Sequence, residues 1–128
     1  MTDATEVFTF EQIENTLVVV PNGDLFQHRF EDIRDGYNHI FGRLSEDGID
    51  NLLVDFEHAK HFGSAFIGML VKLSQKARRA GGETMLCNLK PAMHEVLKSL
   101  MVLENVKTDF FMVPYPDRAT ALNSLKNK

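Results

Sequence analysis

Three features of this 128-residue sequence predict an α/β fold built on a mixed, mostly parallel sheet. Short apolar runs alternate with longer segments whose apolar residues recur every three or four positions, the pattern of strands joined by helical crossovers. Two extended segments precede the first helical one, which adds an N-terminal β-hairpin. Hydrophobic residues make up 44% of the chain, far too many for a disordered segment and enough to build a core without metal or disulfide. The expected order is β-β-α-β-α-β-α-β-α, with four helices, in a single domain spanning residues 1–128.

The first strand is read from Val7 to Ile13, where β-branched and aromatic residues mix, and the Asn15-Thr16 pair turns the chain into Leu17-Val18-Val19-Val20. That second run is continuously apolar, as a strand covered on both faces must be. Pro21-Asn22-Gly23-Asp24 ends it with turn chemistry. From Gln27 to Leu44 the period lengthens: Phe30, Ile33, Tyr37, Ile40, Phe41 and Leu44 form one stripe on a helix, and Gly36 within it costs about 1 kcal/mol relative to Ala. Asn51 to Phe56 is a second buried strand, and the segment from Glu57 to Gly63 is read as a loop. Ser64 is the expected N-cap of the next helix, whose face carries Ile67, Leu70, Val71, Ser74 and Ala77 and which Gly81-Gly82 stops. Thr84 to Asn88 is a strand, and Pro91 opens a helix with Met93, Val96, Leu97 and Leu100 on its face. A last strand is expected at Asp109 to Val113, with a helix from Pro116 bearing Ala119, Leu122 and Leu125. With only four helices, one face of the sheet is expected to be less thickly covered.

Composition narrows the function. With 14 basic against 18 acidic residues, the net charge of −4 argues against a general nucleic-acid binder, which needs a strong basic excess. No apolar run approaches the roughly 18 residues that cross a bilayer, and the first residues lack the basic and apolar regions of a signal peptide. A single cysteine, Cys87, precludes an internal disulfide and suits a reducing compartment. A cytoplasmic protein is expected.

In open α/β sheets, sites form at the carboxyl ends of strands beside helix N-termini, and the connection from Asp55 to Ser64 is such a place. Ser64 there reads either as a helix cap or as a phosphorylation or anion site, since free N–H groups and the helix dipole favour negative charge. With Asp55, His58 and His61 nearby, a serine hydrolase is a distant alternative, but a nucleophile elbow needs glycine two residues on either side of the serine, and Phe62 and Phe66 stand there. His58 and His61 have a spacing open to metal, yet the other candidate ligands, Asp55, Cys87 and His94, are scattered, so no metal site is expected. No phosphate-binding glycine loop is present, and no cofactor is expected. Lys72, Lys76, Arg78 and Arg79 read as a solvated helix face.

One likeness runs through Val18-Val19-Val20-Pro21-Asn22-Gly23-Asp24-Leu25, then Leu52-Leu53-Val54-Asp55-Phe56 followed by Gly63-Ser64-Ala65-Phe66-Ile67-Gly68. It continues through Lys76-Ala77-Arg78-Arg79-Ala80-Gly81-Gly82, Asn88-Leu89-Lys90-Pro91 and Val96 to Leu103. In these passages nearly the whole chain resembles the STAS domain family of anti-sigma-factor antagonists. The resemblance implies a STAS-like regulator without catalytic activity, in which Ser64 falls where the family carries a serine phosphorylated by an anti-sigma factor that is also a kinase. The unphosphorylated form binds that partner, and a phosphatase resets the switch. The contact surface is then expected on the 57–64 loop, the helix start and the 23–28 turn, with Asp24, Phe26, His58, His61, Phe62, Gly63, Ala65 and Phe66 as candidates, and with Phe62 and Phe66 forming an apolar rim around Ser64. The chain departs from the family pattern at Gly63 and Phe26, where acids are usual. A constitutive adaptor or scaffold without phosphorylation is the alternative.

Overall fold

Alternation of apolar residues along the central strands sends side chains to two faces, and both faces are covered in the computed structural model, which describes residues 3–4, 7–25, 28–46, 48–100, 103 and 112–126. The strands are β1 (Asp3–Ala4), β2 (Phe8–Ile13), β3 (Thr16–Pro21), β4 (Gly23–Asp24), β5 (Asn51–Asp55), β6 (Ala59–His61), β7 (Thr84–Cys87) and β8 (Val113–Tyr115). The helices are α1 (Phe30–Arg43), α2 (Ser64–Arg79), α3 (Pro91–Ser99) and α4 (Arg118–Lys126). The main sheet has the order β1-β2-β3-β5-β7-β8; β1, β2 and β3 pair antiparallel, and each later pairing is parallel. The predicted hairpin followed by parallel strands is therefore the observed topology.

Leu17, Val19, Leu52, Val54 and Leu86 point to the face packed by α1, α2 and α3, while Val18, Val20, Leu53, Met85 and Cys87 point to the face packed by Ala121 of α4. Among the described residues a single helix thus serves this face, the uneven coverage expected from the sequence. Gly36 has a packing reason: a Cβ there would lie 2.2 Å from the ring of Phe8, so α1 approaches β2 only because no side chain intervenes.

Several expectations need correction. Phe30 and Phe41 leave the buried stripe of α1, being 59% and 37% exposed; Phe41 instead packs against Tyr37 and carries the Lys76 ammonium 5.1 Å above its ring. On α3 only Met93 and Leu97 are buried, with Val96 and Leu100 exposed, because nine residues offer one narrow stripe. On α4 the buried alanine is Ala121 and Ala119 is exposed. The last strand lies at Val113–Tyr115, beyond most of the segment expected, and Asp109 to Phe111 lie outside the described residues. The last helix opens at Arg118 rather than Pro116, after Asp117, whose Oδ1 accepts the Thr120 N–H at 2.8 Å as a cap does. No helix of the described residues is long and apolar enough to cross a membrane.

Candidate functional site

The segment between β5 and α2, read as a loop from sequence, contains a strand. β6 pairs in parallel with β4, a two-residue strand hidden in the Pro21–Asp24 turn, and together they form a second small sheet. Gly23 makes this possible: its φ of +72° lies in the left-handed region, which glycine enters without a Cβ penalty. Its N–H donates to the His58 carbonyl at 2.8 Å, and the Leu25 N–H donates to the His61 carbonyl at 2.9 Å. The 23–25 and 58–61 segments, 35 or so residues apart in sequence, are thereby joined by backbone bonds. His61 Nδ1 lies 3.5 Å from Asp24 Oδ2 across the pair.

Ser64 is the first residue of α2, and Gly63, not Ser64, occupies the N-cap position with φ −113° and ψ −174°. No side chain caps this helix, and its first turn holds no acidic residue. The expected N-cap role of Ser64 is thus corrected: one position further along, the hydroxyl sits on the first turn and faces outward. Two residues on, at roughly 200° around the helix axis, Phe66 must then face inward. It does: Phe66 is 5% exposed and packs with Phe8, Phe56 and Phe62 at ring-centroid distances of 6.2, 6.3 and 5.5 Å. The expected apolar rim is therefore corrected as well, since Phe66 belongs to the core and Phe62 is half-buried against Phe56. Ser64 and Ala65 are exposed, as are His58 and His61; Gly63 and Asp24 are half-buried; Phe26 lies outside the described residues.

Beneath this surface lies a polar network that sequence reasoning missed. Asp55, 1% exposed at the end of β5, accepts hydrogen bonds from the Glu57 N–H (3.0 Å), Asn88 Nδ2 (2.9 Å) and Arg118 Nε (3.1 Å), with Arg118 Nη2 at 3.0 Å. Arg118 Nη1 also donates to Glu11 Oε2 at 3.2 Å. Lys90 donates to the Phe56 and Ala59 carbonyls. Burial alone would push the Asp55 carboxyl up, but hydrogen bonds from Asn88, the Glu57 N–H and Arg118, with the Arg118 charge, outweigh it and hold it below the usual carboxylate range. Next to it, burial first and then the Asp55 charge push the Cys87 thiol up to about 12, so this sulfur is a buried hydrophobe and not a nucleophile. A signal existed in the sequence: a carboxylate closing an apolar strand must find partners. Its partners could not be read there, because Arg118 is 63 residues away.

This arrangement does not assemble a Ser-His-Asp relay. Asp55 is engaged by Asn88 and Arg118, not by His58 or His61, and among the described residues no group of three or more His, Cys, Asp or Glu side chains is placed to hold a metal.

A family model described as STAS domain matches residues 8–120. Among solved structures, the chain is similar to the anti-sigma factor antagonist SpoIIAA in its unphosphorylated form, at 16% identity with a TM-score of 0.74 over 94% of this chain and 99% of that one. It is similar to the Bacillus cell fate determinant SpoIIAA in its phosphorylated form, at 17% identity and 0.70, over 92% and 98% of the two chains. An anti-sigma-factor antagonist (STAS) domain protein of Planctomyces limnophilus matches at 18% identity and 0.72, over 93% and 97%.

Proposed function

This chain belongs to the STAS domain family, and from that premise we propose that it is a regulatory protein-binding domain of the anti-sigma-factor antagonist type, switched by phosphorylation of Ser64. The observation that carries the reading is the exposure of Ser64 at the first position of α2, beside the small sheet formed by β4 and β6. The hydroxyl is reachable by a kinase while the helix behind it is anchored through Phe66. A phosphate would add about 1.5–2 negative charges on an uncapped helix N-terminus, where the dipole favours an anion, so the fold should tolerate it. Its effect falls on the partner, which must desolvate or repel the dianion. The phosphorylated form of SpoIIAA supports the reading, although similarity at that level of identity concerns the fold. In this reading the partner is an anti-sigma factor with serine kinase activity, contacted through the β4–β6 edge and the start of α2, and the protein works in the cytoplasm without catalytic chemistry of its own.

A constitutive adaptor is the second reading, favoured by Gly63, which stands where the family usually carries an acid. One experiment separates the two. The wild type, Ser64→Ala and Ser64→Glu chains are used to capture partners, and intact mass is read after incubation with ATP. The switch predicts one added phosphate on wild type alone, with binding kept by Ala and lost by Glu. Equal binding by all three chains would leave the adaptor.

A further inference from the structure

We infer that Arg118 is a positioning residue for the Ser64 surface, through which α4, on one face of the sheet, sets the order of the segment that launches α2 on the other. The inference takes the proposed binding surface as its reason for mattering, but its own test needs neither a partner nor a phosphate.

The path is short and made of direct contacts. α4 packs on the face of Val18, Leu53 and Met85, whereas Phe66 and Ile67 of α2 pack on the opposite face. Among the described residues, the polar contacts that tie α4 to the segment preceding α2 run through the carboxyl end of β5. There Arg118, in the first turn of α4, donates to Asp55, and the other Asp55 oxygen accepts the Glu57 N–H. Glu57 begins the turn that leads to β6: the Ala59 N–H closes it on the Phe56 carbonyl at 3.1 Å, and the His58 carbonyl receives the Gly23 N–H. Phe56 lies within this turn, fully buried, with its ring 5.6 Å from Phe62 and 6.3 Å from Phe66. A buried carboxylate that loses its cation must either protonate or turn toward water. Either response alters the oxygen that holds the Glu57 N–H. Asn88 and Lys90 hold the same turn from the β7–α3 side, but neither cancels the Asp55 charge at the distance Arg118 does.

Amide hydrogen exchange, followed residue by residue by NMR, reads the consequence directly. Arg118→Gln is expected to speed exchange at Glu57 and across 59–61 by roughly tenfold or more, while interior β5 amides such as Leu53 change by less than about twofold. Arg118→Lys, which keeps the charge, should recover most of the protection. Leu122→Ala loosens the packing of α4 without touching Asp55, and should leave the ratio of Glu57 to Leu53 protection unchanged. If Arg118→Gln does not fold, Glu11→Ala removes the outer anchor of the guanidinium and should speed exchange at Glu57 alone, by about two- to threefold. Unchanged Glu57 exchange, a uniform loss of protection over the sheet, or the same local pattern in Leu122→Ala would each overturn the inference. If Arg118→Gln shows the local effect while the wild-type chain itself binds no partner, the proposed function fails and the role of Arg118 stands.

Discussion

Gly36 shows how a residue can oppose its own element and still be required. Alanine is the better helix former by about 1 kcal/mol, so propensity alone favours Gly36→Ala. The Phe8 ring lies where the new methyl would go, at 2.2 Å, and overpacking of that kind costs about 1–3 kcal/mol. Net destabilisation is the expected result of chemical denaturation, and an unchanged or higher midpoint would mean that Phe8 can swing aside. Asp55 gives a second prediction at this scale. Its carboxyl sits below the usual range in the folded chain and returns to about 3.9 when the chain unfolds, so the unfolded state binds the proton more readily. The stabilisation is therefore complete above about pH 4 and fades as pH falls through the lower folded value. Urea titrations from pH 6 to pH 2 should show wild type losing more stability on acidification than Asp55→Asn; parallel losses would contradict the assignment.

At the scale of the element, α2 divides its first turn between two tasks. Phe66 anchors it among Phe8, Phe56 and Phe62, and Ser64 is displayed on the other side. Truncating the anchor by Phe66→Ala should cost about 3–5 kcal/mol in an unfolding experiment, the range for a large buried ring. Ser64→Glu places a charge where the dipole welcomes it and should leave stability within about 0.5 kcal/mol of wild type, or slightly above it. A large loss from Ser64→Glu would show the hydroxyl to be part of the packing and would undermine its role as a switch. The same division explains why Phe66 leaves the expected apolar rim: the sequence shows two phenylalanines flanking a serine, but Phe62 precedes the helix and only the helix phase turns Phe66 inward. That phase depends on where the helix starts, and Gly63 rather than Ser64 is the residue before it.

Across the whole molecule, the sheet is the common floor of two apolar layers, and Cys87 reports on it. The thiol is buried with β7 among Val18, Leu53 and Met85 and is pushed up to about 12, so at pH 8 it should ignore a disulfide reagent until the sheet itself opens. Labelling across a denaturant series should follow global unfolding measured by circular dichroism, whereas labelling well before that transition would reveal a local opening. Apolar period alone determined the layered α/β architecture, the hairpin and the four helices, because burial on one face or two leaves its mark in every local window of the chain. The motifs around Gly23, Asp55 and Ser64 likewise carried the family likeness. Only the tertiary structure decided that the 23–24 and 59–61 segments pair, that Phe66 faces the core, and that Asp55 is held by Arg118. Each of those facts depends on groups distant in sequence coming within hydrogen-bond or van der Waals reach, and the local pattern around a residue, even where it shows that a partner is needed, does not say which distant group that partner is.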